Sequence, residues 1–319
     1  MAIDFYVGSF HNLDMKIADL HCDLLSYLAE DDSHTAHDPA SRASIPLLKQ
    51  GGVAFQILAI YTKTEEGSVQ KGIKQAEIFF NLGVKYSVFG QEIQTRVAIE
   101  NASGFCDESE PLSNGIQRLE GWLKKAGRIA YISLTWNGEN RFGGGNTTQA
   151  GLKKDGLQLL QWMSGKKIAI DLSHTSDKLA EEILKTNLDI TPIASHSNFR
   201  KVADHPRNLP DHIAKEIGAR GGVIGLNFVR VFLGGHGAED FLRQVDHADK
   251  LGLLDHLSFG ADFFSDHALP PELQYMLPMF NAGFDNASCY PKLIALLEKH
   301  LPRGIVEKIA YQTLLEFLK

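Results

Sequence analysis

Short apolar runs recur along the chain and alternate with segments whose apolar residues are spaced three and four positions apart. The runs are continuously apolar, which is typical of strands buried on both faces of a parallel sheet. Eight of them are visible, at 16–23, 53–61, 96–100, 129–135, 168–173, 191–195, 222–228 and 257–262. Helical spacing predicts helices at 68–90, 113–126, 151–163, 177–186, 209–218, 238–251, 290–300 and 304–317.

This alternation of strands and helices predicts the fold class. Eight strand–helix units favour an α/β fold, a closed (β/α)8 barrel of the TIM type, and we expect a single domain over 1–319 with helices at its C-terminal end. A doubly wound open sheet is the competing fold, but no Gly-x-Gly-x-x-Gly turn follows the first strand. Residues 1–15 are a mixed lead-in, and 26–50 predict a loop and a short helix that ends at Gly51.

Composition narrows the class of protein. The chain has 319 residues and a formal net charge of −7, whereas nucleic-acid binders usually present a basic face. No basic segment followed by an apolar stretch opens the chain, and no run of about 18 apolar residues occurs, so we expect neither a secretory signal nor a membrane partner. Cys22, Cys106 and Cys289 form no CxxC pair, which favours reduced thiols and a cytoplasmic enzyme.

Polar side chains stand at the C-terminal ends of the predicted strands, where barrels of this kind carry their active sites. In the first strand, side chains two apart share a face, so His21 and Asp23 should point one way and Cys22 the other. Further polar side chains at strand ends are Glu100, Thr135, Trp136, Asn137, His174, His196, Asn227 and Asp262.

Three histidines and three carboxylates are therefore expected at one mouth of the barrel. Taken singly, each has an ordinary explanation: a histidine can pack in a core, Glu100 can cap a helix, and Asp262 can accept backbone N–H groups. Gathered together and buried, they would be costly without a cation, so the pattern predicts a metal centre. Six candidate ligands exceed the needs of one zinc ion, and two metals roughly 3.5–4 Å apart would use them all, with Glu100 as the bridge.

These segments resemble the renal (membrane) dipeptidase family of zinc peptidases, over about 16–319. The similar pieces are Asp-Leu-His-Cys-Asp-Leu-Leu, Ala-Ile-Glu-Asn-Ala, Ser-Leu-Thr-Trp-Asn, Ile-Asp-Leu-Ser-His-Thr-Ser, Ile-Ala-Ser-His-Ser, Pro-Arg-Asn-Leu-Pro-Asp and Phe-Gly-Ala-Asp-Phe. The resemblance implies that His21 and Asp23 hold one zinc ion and that His174 and His196 hold the other. It also implies that Glu100 bridges the two ions and that a homodimer is one option for the assembly.

The same resemblance implies roles for two residues outside the metal ligands. Arg207 would grip the C-terminal carboxylate of the substrate, which a guanidinium can do with two parallel hydrogen bonds. Asp262 would handle protons near the metals. One departure concerns the fourth strand, where many members carry a histidine that contacts the carbonyl region of the substrate. Trp136 and Asn137 follow Leu-Thr here, and we expect Asn137 to donate a hydrogen bond to the substrate and Trp136 to reshape the pocket.

The expected function is that of a binuclear zinc dipeptidase. A metal-bridging hydroxide would attack the peptide bond of a small peptide, and Asp262 would take the proton and pass it to the leaving amine. By resemblance, a D-residue at the C-terminal position would be tolerated. Two alternatives stay open: another metal-dependent amidohydrolase, lactonase or phosphoesterase on the same barrel, and a non-catalytic homologue. Manganese, iron or cobalt would also suit such ligands.

Overall fold

The fold is an eight-stranded parallel barrel. The computed structural model describes residues 15–235, 237–269 and 271–319, so the predicted lead-in lies outside the described residues except for Met15. The strands are β1 (Ile17–Cys22), β2 (Val53–Tyr61), β3 (Gln94–Glu100), β4 (Ile129–Ser133), β5 (Ala169–Asp171), β6 (Pro192–Ile193), β7 (Ile224–Leu226) and β8 (Leu257–Phe259). They confirm the eight predicted strands in their order, and they confirm the predicted barrel.

All strand pairs are parallel, and their order is β6-β5-β4-β3-β2-β1-β8-β7. The two end strands meet through a bridge between Ala194 and Ile224, in which the Ala194 N–H donates to the Val223 carbonyl over 3.0 Å. Gly225 permits this close approach, because a Cβ on it would lie 2.1 Å from the carbonyl oxygen of Ser195. The sheet is thereby closed into a barrel with all eight strand ends at one mouth.

Helices lie between the strands and after the last of them. Their bounds are α1 (Leu24–Glu30), α2 (Ile45–Gln50), α3 (Ser68–Lys85), the kinked turn α4 (Val88–Gln91), α5 (Leu112–Ala126), α6 (Lys154–Met163), α7 (Asp177–Leu184), α8 (Asp211–Ala219), α9 (Arg230–Leu233), α10 (Glu239–Lys250), α11 (Tyr290–Leu297), α12 (Arg303–Glu307) and α13 (Thr313–Phe317). The predicted helix that ends at Gly51 is confirmed as α2, whereas α1 and α9 were not predicted. The predicted helix over 304–317 is divided by a π-helical turn at Lys308–Gln312.

Two buried apolar clusters stabilise the barrel. The larger lies between the strands and the surrounding helices. The smaller combines residues from six strands, such as Ala18, Phe55 and Ala98, with Val223 just before β7 and Leu314 of α13. Because alternate strand residues face the lumen, this second cluster fills the barrel interior. The C-terminal segment also packs Tyr311 against this cluster and so closes the end of the barrel opposite the strand C-termini.

A β-bulge in β1 sets the direction of the first two candidate ligands. The pairing of β1 with β2 slips by one residue between Asp19 and Cys22, which is how a bulge re-aims side chains beside an active site. Cys22 packs into the outer apolar cluster, while the side chains of His21 and Asp23 approach each other, with Nε2 and Oδ1 3.8 Å apart. The prediction that these two side chains share a face is confirmed.

The described residues add two simple observations. All three cysteines are buried and free, in agreement with the expected reduced thiols. No helix in the described part of the chain combines the length and apolar character needed to cross a bilayer. The predicted bounds of the domain, 1–319, stay a prediction.

Candidate metal centre

Side chains from five strand ends converge at one mouth of the barrel. Three overlapping groups have ligand atoms within 4.8 Å of one another: His21 with Asp23 and Glu100, Glu100 with His174 and His196, and His21 with His196 and Asp262. All six residues are buried, with at most 8% of their surface exposed. The structure therefore gathers the predicted ligand residues, which come from positions far apart in the chain.

Glu100 lies between the two predicted metal positions. Its Oε2 lies 3.1 Å from His21 Nε2, and its Oε1 lies 2.9 Å from His174 Nε2 and 3.7 Å from His196 Nε2. Each carboxylate oxygen thus faces a different group of histidines, which is the arrangement expected of a bridging ligand. The next residue, Asn101, holds the end of β3 in place, because its side chain donates to the Thr62 carbonyl over 2.8 Å.

Hydrogen bonds define which ring nitrogen of His21 carries the hydrogen. The Tyr131 hydroxyl donates to the Leu20 carbonyl over 3.0 Å and also lies 2.7 Å from His21 Nδ1. Since a carbonyl can only accept, the single hydroxyl hydrogen is used there, and His21 Nδ1–H must donate to the Tyr131 oxygen. His21 Nε2 is then a bare lone pair that faces the site.

The same logic applies to the other two histidines. Ser195 donates its hydroxyl hydrogen to Asp171 over 2.7 Å, so His196 Nδ1–H donates to Ser195 Oγ over 2.6 Å. His174 Nδ1 lies 2.8 Å from Asn137 Oδ1, an amide oxygen that can only accept. All three imidazoles therefore carry hydrogen on Nδ1 and present Nε2 to the site, the form in which histidine binds metal.

The contacts between these lone pairs show whether the residues are suited to hold a metal ion. His174 Nε2 and His196 Nε2 lie 3.0 Å apart with no hydrogen between them. His21 Nε2 and Asp23 Oδ1 are buried and have no hydrogen-bond partner, and a single proton on Glu100 could relieve only one of its short contacts with the histidines. Buried lone pairs that face one another are unfavourable without a cation. The donor set of imidazoles and carboxylates therefore fits one or more divalent metal ions.

The electrostatics of the site agree with this conclusion. Burial raises the pKa of Glu100 to about 8, and burial raises the pKa of Asp23 well above its ordinary value, with Glu100 reinforcing the rise. Burial lowers the pKa values of His174 and His196 far below the ordinary histidine value, so both rings are neutral at pH 7. A divalent cation among these groups would favour the ionised carboxylates and the neutral imidazoles, so the shifted pKa values agree with a buried metal site.

Backbone strain marks two of these residues. His174 has a φ of 66° and Asp262 a φ of 61°, in the left-handed region that non-glycine residues rarely adopt. Each lies three residues beyond the end of a short strand, so the turn aims the side chain back over the barrel mouth. Such strain is concentrated at functional sites. Asn227 supports Asp262 by donating to its Oδ2 over 2.9 Å, which leaves Oδ1 3.7 Å from His21 Nε2.

Arg207 is a buried cation without an ion-pair partner among the described residues. It is 4% exposed, and it donates to Ser197 Oγ over 2.9 Å and to the His196 carbonyl over 3.2 Å. Its Nε has no acceptor. Its guanidinium therefore keeps N–H groups available for an anion in the cavity that it lines.

His205, also in the cavity wall, was missed in the sequence. Its Nδ1 accepts the Arg207 backbone N–H over 3.0 Å, so its Nε2 carries the hydrogen. Burial lowers its pKa, with help from the nearby Arg207 charge. Its place two residues before Arg207, in Asp-His-Pro-Arg, was the available signal. Tyr131, which orients His21, was missed because it reads as an ordinary strand residue.

A cavity of about 230 Å³ opens above these residues. Its floor includes Asp23, Glu100, His174 and Asp262, and both Trp136 and Asn137 line its wall. Trp136 packs between Tyr61, at a ring distance of 5.5 Å, and His174, at 6.0 Å. Of the predicted site residues, all but His21 and His196 line this cavity, and those two lie beside Glu100 of its floor. The predicted substrate-binding role of Trp136 and Asn137 stays a prediction.

The fold and the site together define the class of protein. It is a parallel (β/α)8 barrel with a candidate metal centre of buried imidazoles and carboxylates at the C-terminal ends of its strands. Comparison with known families places the chain more narrowly. The family model described as "Membrane dipeptidase (Peptidase family M19)" matches residues 12–318. The chain belongs to this family, as the resemblance of its motifs implied.

Similar proteins agree with this membership. An uncharacterized protein in the pqqA 5′ region of Klebsiella pneumoniae is 30% identical over 190 residues, which cover 55% of this chain and 66% of that protein. Dipeptidase verJ of Clonostachys rogersoniana is 29% identical over 184 residues, which cover 56% of this chain and 43% of that protein. The matched regions thus span roughly half to two thirds of these relatives.

Solved structures support the fold. A metallo peptidase from Rhodobacter sphaeroides, liganded with a phosphinate mimic of the dipeptide L-Ala-D-Ala, has a TM-score of 0.79 and 22% identity, and the match covers 95% of this chain and 98% of that one. The probable dipeptidase PvdM from Pseudomonas aeruginosa has a TM-score of 0.75 and 15% identity, over 96% of this chain and 95% of that one. At these identities the likeness supports the barrel.

Proposed function

We propose that this protein is a metal-dependent dipeptidase that hydrolyses the peptide bond of short peptides. The observation that carries the proposal is the buried cluster of three imidazoles and three carboxylates, whose ligand atoms form overlapping groups within 4.8 Å of one another. Membership of the membrane dipeptidase family and a relative named as a dipeptidase support the choice of substrate. The cytoplasmic location and the homodimer stay predictions.

Two divalent ions, zinc in the first instance, are proposed to occupy the site. His21 and Asp23 would hold one ion, His174 and His196 the other, and Glu100 would bridge them through its two oxygens. When bound, such a pair makes hydroxide available from water near neutral pH and polarises a carbonyl group. Tyr131, Ser195 and Asn137 keep the three imidazoles in the form that can bind.

Arg207 is proposed to bind the C-terminal carboxylate of the substrate. A guanidinium that is buried without an ion-pair partner among the described residues offers parallel N–H groups to a carboxylate, and Arg207 lines the same cavity as the metal cluster. A carboxylate site and a metal centre in one cavity of about 230 Å³ would limit the substrate to short peptides. His205, with hydrogen on Nε2, lies beside Arg207 and adds a second donor.

Asp262 is proposed as the group that moves protons. Burial raises its pKa to about 6, with Glu100 reinforcing the rise and Arg207 opposing it, so Asp262 is more basic than an exposed aspartate and better able to accept a proton. Because Asn227 occupies Oδ2, the proton is taken up at Oδ1, which faces His21. Asp262 would then pass it to the departing amine, as a general base followed by a general acid.

Further features are proposed to shape the substrate. Asn137 Nδ2 has no acceptor among the described residues, so the amide can bind His174 through its oxygen and donate to a substrate carbonyl through its nitrogen. Trp136 would pack against the substrate. Tolerance of a D-residue at the C-terminal position is proposed from the family resemblance, and the phosphinate mimic of L-Ala-D-Ala in the Rhodobacter sphaeroides relative supports it.

The test is hydrolysis by metal-loaded protein of L,L- and L,D-dipeptide panels, beside lactone, cyclic amide and phosphoester panels. We expect dipeptides to be cleaved fastest and a chelator to abolish the activity. Preferential turnover of a lactone, cyclic amide or phosphoester would replace the dipeptidase proposal with another metal-dependent hydrolase. Protein that binds metal but cleaves no compound in any panel would indicate a non-catalytic homologue.

A further inference from the structure

One side of the cavity is apolar. Its lining there is formed by Val229, Phe232, Phe264, Leu269, Met276 and Met279, which we call the apolar wall. These residues follow β7 and β8, whereas Trp136 and Tyr61 line the cavity near β2 and β4. None of the six carries a charge or a hydrogen-bonding side chain, so the wall offers a favourable surface to an apolar group and none to a charged one.

Arg230 fixes the segment that contributes Met276 and Met279 to this wall. Its backbone N–H donates to the Met279 carbonyl over 2.7 Å, and its Nε donates to the Pro278 carbonyl over 3.1 Å. A bridge between Val229 and Phe280 ties the same segment to the end of β7. The apolar wall is therefore held in place by hydrogen bonds between the segment after β7 and the loop that carries Met276 and Met279.

The apolar wall adjoins Arg207. The guanidinium carbon of Arg207 lies 5.9 Å from the centre of the Phe232 ring, and the His205 ring lies 4.7 Å from the same ring. In a dipeptide, the C-terminal carboxylate and the C-terminal side chain leave the same carbon atom. If Arg207 holds the carboxylate, the side chain beside it falls within reach of Phe232, and the N-terminal residue lies across the metal cluster.

We propose that the apolar wall receives the side chain of the C-terminal residue and selects dipeptides in which this side chain is large and apolar. This inference rests on the proposed dipeptidase function and on Arg207 as the carboxylate site. A hydrophobic pocket discriminates by the apolar area that it buries and by the cost of desolvating a charge, and both effects favour Leu, Met or Phe over Glu or Lys at this position.

The test compares kcat/KM for Ala-Leu, Ala-Phe, Ala-Lys and Ala-Glu, and for the reversed series Leu-Ala, Phe-Ala, Lys-Ala and Glu-Ala. For the unmodified protein we expect a preference on the order of tenfold or more for apolar over charged C-terminal residues. The reversed series should show a smaller preference, because the N-terminal side chain does not contact the apolar wall.

The variant Met276→Lys tests the wall directly. Met276 is half-buried in the cavity lining, and its carbonyl, which accepts from Arg230, is unaffected by a change of side chain. We expect the ratio of kcat/KM for Ala-Glu to that for Ala-Leu to rise by about tenfold, because the wall then carries a positive charge. The matched control is Leu277→Lys, at a neighbouring residue that is 43% exposed and lies outside the lining. This variant should leave the preference ratios of the forward and the reversed series unchanged. Phe232→Ala, which only shortens the wall, should lower the preference for Ala-Phe if Met276→Lys fails to fold.

The possible contrary results separate a wrong assignment of the apolar wall from a wrong proposed function. If the unmodified protein cleaves dipeptides without a C-terminal preference, or if Met276→Lys and Leu277→Lys shift the ratio equally, the apolar wall is not the C-terminal side-chain site. A shift confined to the reversed series would overturn the assignment in favour of the N-terminal residue. If no dipeptide is cleaved at all, the proposed function fails and this inference fails with it.

Discussion

The Nε2 atoms of His174 and His196 lie 3.0 Å apart, although the hydrogen bonds on the opposite ring nitrogens leave both atoms without a hydrogen. Asn137 accepts from one ring and Ser195 from the other, so neither ring can turn its N–H toward its neighbour. Two lone pairs at this distance repel, and a shared cation turns the repulsion into binding. The account of the site follows from this pair.

Replacing Asp262 with asparagine should stop proton transfer and leave the metals in place. The amide oxygen can still accept from Asn227, but it cannot act as a base. We expect kcat to fall by roughly 10²- to 10⁴-fold, with metal content equal to that of the unmodified protein by elemental analysis. Turnover that survives the change would remove Asp262 from the mechanism, and loss of metal together with turnover would make it a ligand instead.

Replacing Tyr131 with phenylalanine should weaken metal binding at His21. The ring keeps its place in the barrel interior, but His21 Nδ1–H loses its acceptor, and the imidazole can turn or change tautomer. We expect the metal dissociation constant to rise by about 10- to 100-fold, measured by competition with a chromophoric chelator. Tyr27→Phe is the control, because Tyr27 is also buried but its hydroxyl approaches Asp38 instead. Equal affinities for Tyr131→Phe and Tyr27→Phe would contradict the proposed role of Tyr131.

The stability of the chelated protein should fall between pH 6.5 and about 8. The pKa of Glu100 is raised from 4.5 to about 8 in the folded state, so the folded chain holds a proton there that the unfolded chain has lost, and stability decreases as the pH rises through this window. His174 and His196, whose pKa values are lowered, affect stability only below pH 6.5, where they make it rise with pH. Asp262, with a pKa of about 6, has largely titrated before the window begins.

Thermal melting in the presence of a chelator measures this effect. We expect the melting temperature to drop across the window, and we expect excess zinc to remove the drop, because bound cations keep Glu100 ionised in the folded protein. Glu100→Gln, which cannot titrate, should reduce the drop in the chelated protein, and any remaining drop belongs to Asp23, whose pKa is also raised. A melting temperature that rises with pH in the chelated protein would contradict the charge assignment.

The sequence predicted the six candidate metal ligands because their signals are local. Each of the six stands at the end of a continuous apolar run, and parallel strands bring their ends to one edge whatever the loops between them do. The same reasoning predicted the order of all eight strands. It overestimated the length of β5 to β8, because the apolar run continues past the last strand residue into turns such as the left-handed one at His174.

The remaining features depend on contacts that a local pattern cannot show. Tyr131 is a good strand residue, and its role depends on a bond to His21, 110 positions away. The helix α1 has only seven residues and follows β1 directly, so its apolar residues show too few repeats to predict a helix. The apolar wall comes mainly from the long segment after β8, which has no periodicity, and its residues share a surface only because the loop folds over the barrel mouth.

Metal stoichiometry tests the central claim most directly. The protein would be stripped with chelator, titrated with zinc and analysed by native mass spectrometry, beside the variant His174→Asn. We predict two zinc ions per chain in the unmodified protein and one in the variant, because His21, Asp23 and Glu100 would still hold an ion. An unmodified chain that binds no divalent ion would contradict the account, and one that never binds a second would contradict the bridging role of Glu100.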